Sequence, residues 1–178
     1  MTALDIRPEP RTTPAPGPAP IPARRALAVL RLLLGLVFLW AFADKTFGLG
    51  FATAPERAWI TGGSPTAGYL GSLDGVLAPA FTALAGQGWV DVAFMLGMLA
   101  VGSALVLGVA LYAAAAGGTS IMALMWLTSL PLANNPLIDE HVIYAAALWV
   151  LAATGAGHTW GLARLAATLT PRPLRFLA

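Results

Sequence analysis

An all-α fold is what this sequence predicts: a four-helix transmembrane bundle with an amphipathic or re-entrant outer loop between helices 1 and 2. Three observations carry that expectation. Of 178 residues, 58% are hydrophobic and only 10% charged, whereas soluble domains carry about 25% charged residues. The apolar residues gather into runs long enough to cross a ~30 Å hydrocarbon layer, which takes about 20 helical residues. The basic residues collect where those runs would emerge on one side.

Residues 1–23 are dominated by proline and small side chains, including Pro14-Ala15-Pro16-Gly17-Pro18-Ala19-Pro20. Such a run cannot hold a helix and offers little apolar surface to bury, so it predicts a disordered tail. Arg24-Arg25 then open the first apolar run, predicted as a helix over 24–47. Ala41-Phe42-Ala43 mimics a signal-peptidase site. The apolar stretch ahead of it is about 18 residues, longer than the 7–15 of a signal peptide, which favours an uncleaved helix.

Residues 48–88 form a loop whose apolar part is broken by Gly71, Gly75 and Pro79. It is too interrupted to span, and fits a short interfacial or re-entrant helix. From Trp89 to Pro131 the chain is almost continuously apolar. That is two spans, so it must fold back, with the turn expected near 108–112 and helices over 89–108 and 111–131. Pro131 and Asn134-Asn135-Pro136 end the second of these. A last helix is expected over 137–160, completing a membrane domain of 24–162, and residues 163–178 read as a basic tail.

Four helices place both termini on one side. Arg24, Arg25, Arg164, Arg172 and Arg175 flank that side, while the opposite loops carry only Lys45 and Arg57. The positive-inside rule makes the termini cytoplasmic in a multi-pass protein of the cell membrane. The same assignment puts Asp44, Glu56, Asp74, Asp91, Asp139 and Glu140 at the outer face. Six acids against two basic residues leave a formal −4 there. Small residues at four-residue spacing (Ala100, Ala104, Gly108; Ala113, Gly117; Ala114, Gly118; Ala153, Gly157) mark faces where helices can approach closely in lipid.

The absence of cysteine excludes disulfides, thiol redox chemistry and cysteine-ligated metal or iron–sulfur sites. His141 and His158 are separated by about 26 Å along one helix at 1.5 Å per residue, so they cannot share one haem iron within a protomer. Asp139-Glu140-His141 are adjacent, and adjacent helical residues point about 100° apart, so the triplet does not converge on a metal. Either these groups complement a helix N-terminus, or they form a polar mouth that handles protons or a ligand headgroup. Glu140 and Tyr144 share a helical face, as do Trp40 and Asp44. Asp44, Lys45 and Asp91 lie at the same depth, where a charge is costly and needs a partner. Lys45 is the natural counterion for Asp44, Asp91 or Asp139, in a structural clamp or a catalytic one. Arg31 either snorkels to the cytoplasmic headgroups or turns inward to hold a lipid or quinone head. The candidate catalytic set is therefore Asp44, Lys45, Asp91, Asp139, Glu140 and His141, and the candidate ligand-binding set Arg31, Trp40 and Tyr144. No pattern points to nucleic acid.

Three segments carry a resemblance. They are the run from Arg31 through Gly35 and Trp40 to Asp44-Lys45, then Ala58-Trp59-Ile60-Thr61-Gly62-Gly63-Ser64-Pro65, and then Asn134-Asn135-Pro136 with Asp139-Glu140-His141 and Tyr144. In order and spacing the chain resembles the DoxX/DoxD family of small membrane proteins over about 24–162. The resemblance implies a four-helix membrane bundle and, for some members, a subunit of thiosulfate:quinone oxidoreductase, with quinone as cofactor and other oxidoreductase subunits, or further copies of the chain, as partners within the lipid bilayer. It carries no catalytic residues over. An outer face at −4 repels a dianion such as thiosulfate, so the expected role is a quinone-side or anchoring subunit. A non-catalytic scaffold that recruits membrane partners, or a small-solute transporter, are the competing expectations.

Overall fold

The computed structural model describes residues 20–169. Most of the expected N-terminal tail and the end of the basic C-terminal tail lie outside the described residues, within which the chain is all-helical with no strand.

Helix α1 (Ile21–Phe47) begins three residues before the expected start at 24, because Pro22 sits in the first turn, where a missing amide costs nothing. Gly48 ends it in the left-handed conformation (φ 65°), its amide returning to the Asp44 carbonyl. The loop that follows is not one re-entrant helix. Two 3-10 turns, Pro55–Arg57 and Trp59–Thr61, lead into two five-residue helices, α2 (Ala67–Gly71) and α3 (Ala78–Thr82).

Helix α4 (Gly88–Leu107) and helix α5 (Leu111–Thr128) are joined by a turn with Gly108 and Ala110 both left-handed. Helix α6 (Glu140–Ala153) is 14 residues long, far shorter than the expected 137–160. Its start is delayed because Asn135 Oδ1 takes the amides of Leu137 (2.9 Å) and Ile138 (3.0 Å), holding them in a turn. Its end is fixed by Gly155, left-handed at φ 61°, after which the 3-10 turn Ala156–His158 leads to α7 (Ala163–Leu169).

Three helices, α1, α4 and α5, are long and apolar enough to cross a membrane, at 27, 20 and 18 residues. Their outward side chains are those of a lipid-facing surface, with Leu33, Leu36 and Leu96 more than half exposed. The chain is thus built as a membrane protein. Helix α4 packs between α1 and α5, α6 packs on α5, and a smaller contact joins α6 back to α1. Leu34, Phe38, Met95, Met98, Val101, Leu105, Leu148 and Leu151 fill the centre.

The small-residue spacing did single out Gly108 and Gly157, which meet backbone to backbone, a Cβ on Gly157 lying 2.2 Å from the Gly108 carbonyl oxygen, but it missed the close contact between α1 and α4. A Cβ on Gly35 would lie 2.8 Å from the Val106 side chain, and one on Gly102 would lie 2.8 Å from Leu39 Cγ and 3.0 Å from the Leu39 backbone nitrogen. Two facing glycines let α1 and α4 approach backbone to backbone. Ala100, by contrast, faces outward. Gly118, on the Ala114 face, does meet α6, 2.5 Å from Leu148 Cδ1 by the same measure.

Candidate functional site

The polar groups divide between the two ends of the helices. At one end Arg31 is completely buried, seven residues into α1 from Arg24. Its two terminal nitrogens are occupied by backbone carbonyls, while Nε is buried without a partner among the described residues. The guanidinium donates to the carbonyls of Leu105 and Val106 (2.9 Å) at the end of α4, and to Thr159 (3.3 Å) and Trp160 (3.0 Å) beyond α6. Carbonyls in a last helical turn lack regular helical partners, and a buried cation is a strong donor to them. Arg31 therefore ties the ends of α1, α4 and the segment after α6 together.

At the other end, the first helix delivers Asp44 and Lys45 in succession to different parts of the loop between α1 and α4. Asp44, 1% exposed, accepts from the amides of Phe51 (3.3 Å) and Ala52 (3.0 Å). Lys45 Nζ donates to the Pro65 carbonyl at 3.1 Å. Asp91, in the first turn of α4, accepts from Ser64 Oγ (2.9 Å), Thr66 N (3.0 Å) and Thr66 Oγ1 (2.6 Å), all on one carboxylate oxygen. So Lys45 and Asp91 between them hold Ser64, Pro65 and Thr66. The expected ion-pair clamp is replaced by bonds to the loop: among the described residues no ion pair joins Lys45 to Asp44, Asp91 or Asp139. The clasp continues to α5 through Tyr69 Oη and Thr128 Oγ1, 2.7 Å apart.

Gly63 lets the loop turn this tightly, since a Cβ there would lie 2.2 Å from the Arg57 carbonyl oxygen. The turn leaves a cavity of about 320 Å³ lined by Lys45, Thr53, Arg57, Ser64, Pro65 and Tyr69. Lys45 and Arg57, the two basic residues expected at the outer face, both line it, and no carboxylate does. The formal −4 of this face therefore does not describe the cavity, because Asp44 and Asp91 are turned away into amides and hydroxyls. Thr53, Arg57, Ser64 and Tyr69 were not among the expected site residues. Arg57 carried the one usable signal, as the second of only two cations in the outer loops.

The triplet at 139–141 is a cap. Asp139 accepts the amides of His141 (3.0 Å) and Val142 (3.4 Å), and its other oxygen lies 2.8 Å from His141 Nδ1. Partial burial raises the Asp139 carboxyl, but the His141 ring bond, the two amides and the His141 charge outweigh it and hold it below its ordinary value. Glu140 is exposed in the first turn, where it complements the helix dipole. Among the described residues no three His, Cys, Asp or Glu side chains converge as a metal site would need.

The remaining candidates do not join the cavity. Trp40 is half exposed and meets Phe51 edge to face, ring centres 5.1 Å apart, and Tyr144 packs against the apolar core. Arg31 and Trp40 are separated by about 14 Å along α1 at 1.5 Å per residue, so the expected ligand set is dispersed. Comparison with protein families, curated proteins and solved structures returns no match.

Proposed function

We propose that this chain is a DoxX/DoxD-type membrane subunit of a quinone-linked oxidoreductase, and that its outer cavity takes the polar head of a quinone. The observation that carries this reading is the cavity of about 320 Å³ with Lys45, Arg57 and Tyr69 on its walls. A quinone head is a flat apolar ring with two carbonyl acceptors. Cationic and hydroxyl donors bind those oxygens and favour the negative charge that develops on them during reduction. In this reading α6 and the 3-10 turn after it form the fourth crossing of the bundle, since 14 helical residues alone cover only about 21 Å. Both termini then lie in the cytoplasm, and the cavity opens at the outer face of the cell membrane. The detergent-purified protein should carry extractable quinone and bind a short-chain quinone, with Lys45→Gln and Tyr69→Phe each weakening binding. A protein without quinone, with binding unchanged in both variants, overturns the reading.

A second reading, a non-catalytic scaffold, is favoured by a different observation. Arg31, Asp44 and Asp91 are all committed to groups of their own chain. It predicts a co-purifying partner whose activity is unchanged by Lys45→Gln.

A further inference from the structure

A second cavity, about 330 Å³, lies at the Arg31 end of the helices, between the first turn of α1 and the turn after α6. Arg24, Leu27, Thr154, Gly155, His158 and Thr159 line it. Arg31 is not part of it, because that guanidinium is taken by four backbone carbonyls.

Among the described residues the charge around this cavity is of one sign. Arg24, Arg25 and Arg164 stand at this end. Every carboxylate among the described residues belongs to the opposite end or to the loops beyond it: Asp44, Glu56, Asp74, Asp91, Asp139 and Glu140. The Arg24 side chain has no ion-pair partner among the described residues. A half-buried arginine on a cavity wall, with no carboxylate at its own end among the described residues, is placed to take an anion.

The cavity is amphipathic along the membrane normal. Arg24 precedes Arg31 by about 10 Å of helix at 1.5 Å per residue, and Leu27 lies one turn deeper. Leu30, one turn deeper than Leu27 and 37% exposed, adds open apolar surface beside the cavity. Trp160, 60% exposed at the same end, has the amphipathic ring that settles at headgroup depth. A soluble anion would use only the cationic rim, whereas a molecule with a charged head and an acyl tail would use rim and wall together.

We infer that this cavity binds the phosphate of an anionic phospholipid, with Arg24 as its principal contact and the acyl chains against α1. The inference is independent of the quinone reading, because it concerns the other end of the molecule and none of the outer-loop residues.

The test uses the full chain in nanodiscs of mixed phosphatidylcholine and phosphatidylglycerol, released into a native mass spectrometer so that retained lipids are counted. Phosphatidylglycerol should be retained over phosphatidylcholine. Arg24→Gln should reduce that preference about fivefold, the value of one basic residue near an anionic surface. Thr154→Trp, which fills the cavity mouth without changing charge, should abolish it. Arg25→Gln removes the same charge outside the cavity and should leave it intact. Equal retention of the two lipids, an equal loss in Arg25→Gln, or no change in either cavity variant overturns the proposal. Displacement of the bound lipid by inorganic phosphate assigns the site to a soluble anion and overturns it as well.

Discussion

Replacing Arg31 with methionine keeps the length and apolar stem of the side chain and removes only its donors. Four backbone carbonyls then lose a cationic partner, those of Leu105, Val106, Thr159 and Trp160. A hydrogen bond to a charged group contributes about 1.5–3 kcal/mol, and an acceptor left buried without a donor costs a similar amount. The Leu105 carbonyl retains the Gly108 amide as a donor. The contacts beyond α6 are partly buried, and water can replace some of what they lose. Discounting for both, the loss should be about 4 kcal/mol. For a chain of this size about 1 kcal/mol moves the melting temperature by 2–4 °C, so the expected drop is about 10 °C. Thermal unfolding of the detergent-solubilised protein, followed by tryptophan fluorescence, measures it. Arg31→Lys keeps the charge but not the planar fork, and should fall between the two. An Arg31→Met protein as stable as the parent would refute the argument that this cation is held by, and holds, the helix ends.

Three further outcomes follow from the same contacts. Asp91→Ala removes three bonds to Ser64 and Thr66 and should lower the cost of opening the outer loop by about 2 kcal/mol. Trypsin should then cut after the exposed Arg57 about thirtyfold faster. Gly102→Val places a branched side chain against the Leu39 backbone and should destabilise the α1–α4 contact by about 1–3 kcal/mol, read in the same thermal assay. Asp139, held below its ordinary value, stabilises the start of α6 at every pH above about 4, the unfolded carboxyl range, and that contribution is lost as pH falls through its lower folded value. The His141 and Val142 amide resonances should therefore titrate with a midpoint below about 4, and Asp139→Asn should flatten that titration.

The helical class and the three membrane-long helices were legible because each rests on a run of apolar residues that no local bond can override. Helix α6 was not legible in its length. Its N-terminus is set by the Asn135 side chain capturing two amides, and its C-terminus by a left-handed Gly155. Both are single-residue decisions inside a run that still reads as apolar. At the candidate site, sequence depth correctly grouped Asp44, Lys45 and Asp91 at one end, but paired them with each other. Their partners are main-chain amides, a main-chain carbonyl and the hydroxyls of Ser64 and Thr66. Backbone groups carry no sequence signature, and the hydroxyls of Ser64 and Thr66 lie 27 and 25 residues from Asp91 with nothing local to mark them as its partners. Arg31 failed for the same reason, with its acceptors as far as 129 residues away.

Those separations also constrain the order in which the protein can be made. Arg31 is synthesised well before its acceptors, which lie 74, 75, 128 and 129 residues downstream. Until the residues at 105 and 106 have inserted, α1 carries a lone guanidinium in its apolar span, which translocon-based scales place at about 2.5–3.5 kcal/mol. Until the segment at 159 and 160 has emerged, half of its coordination is still missing. Helix α1 is thus left waiting during biosynthesis, and a ribosome-arrested chain ending before 159 should be the species that insertion chaperones and quality-control proteases engage.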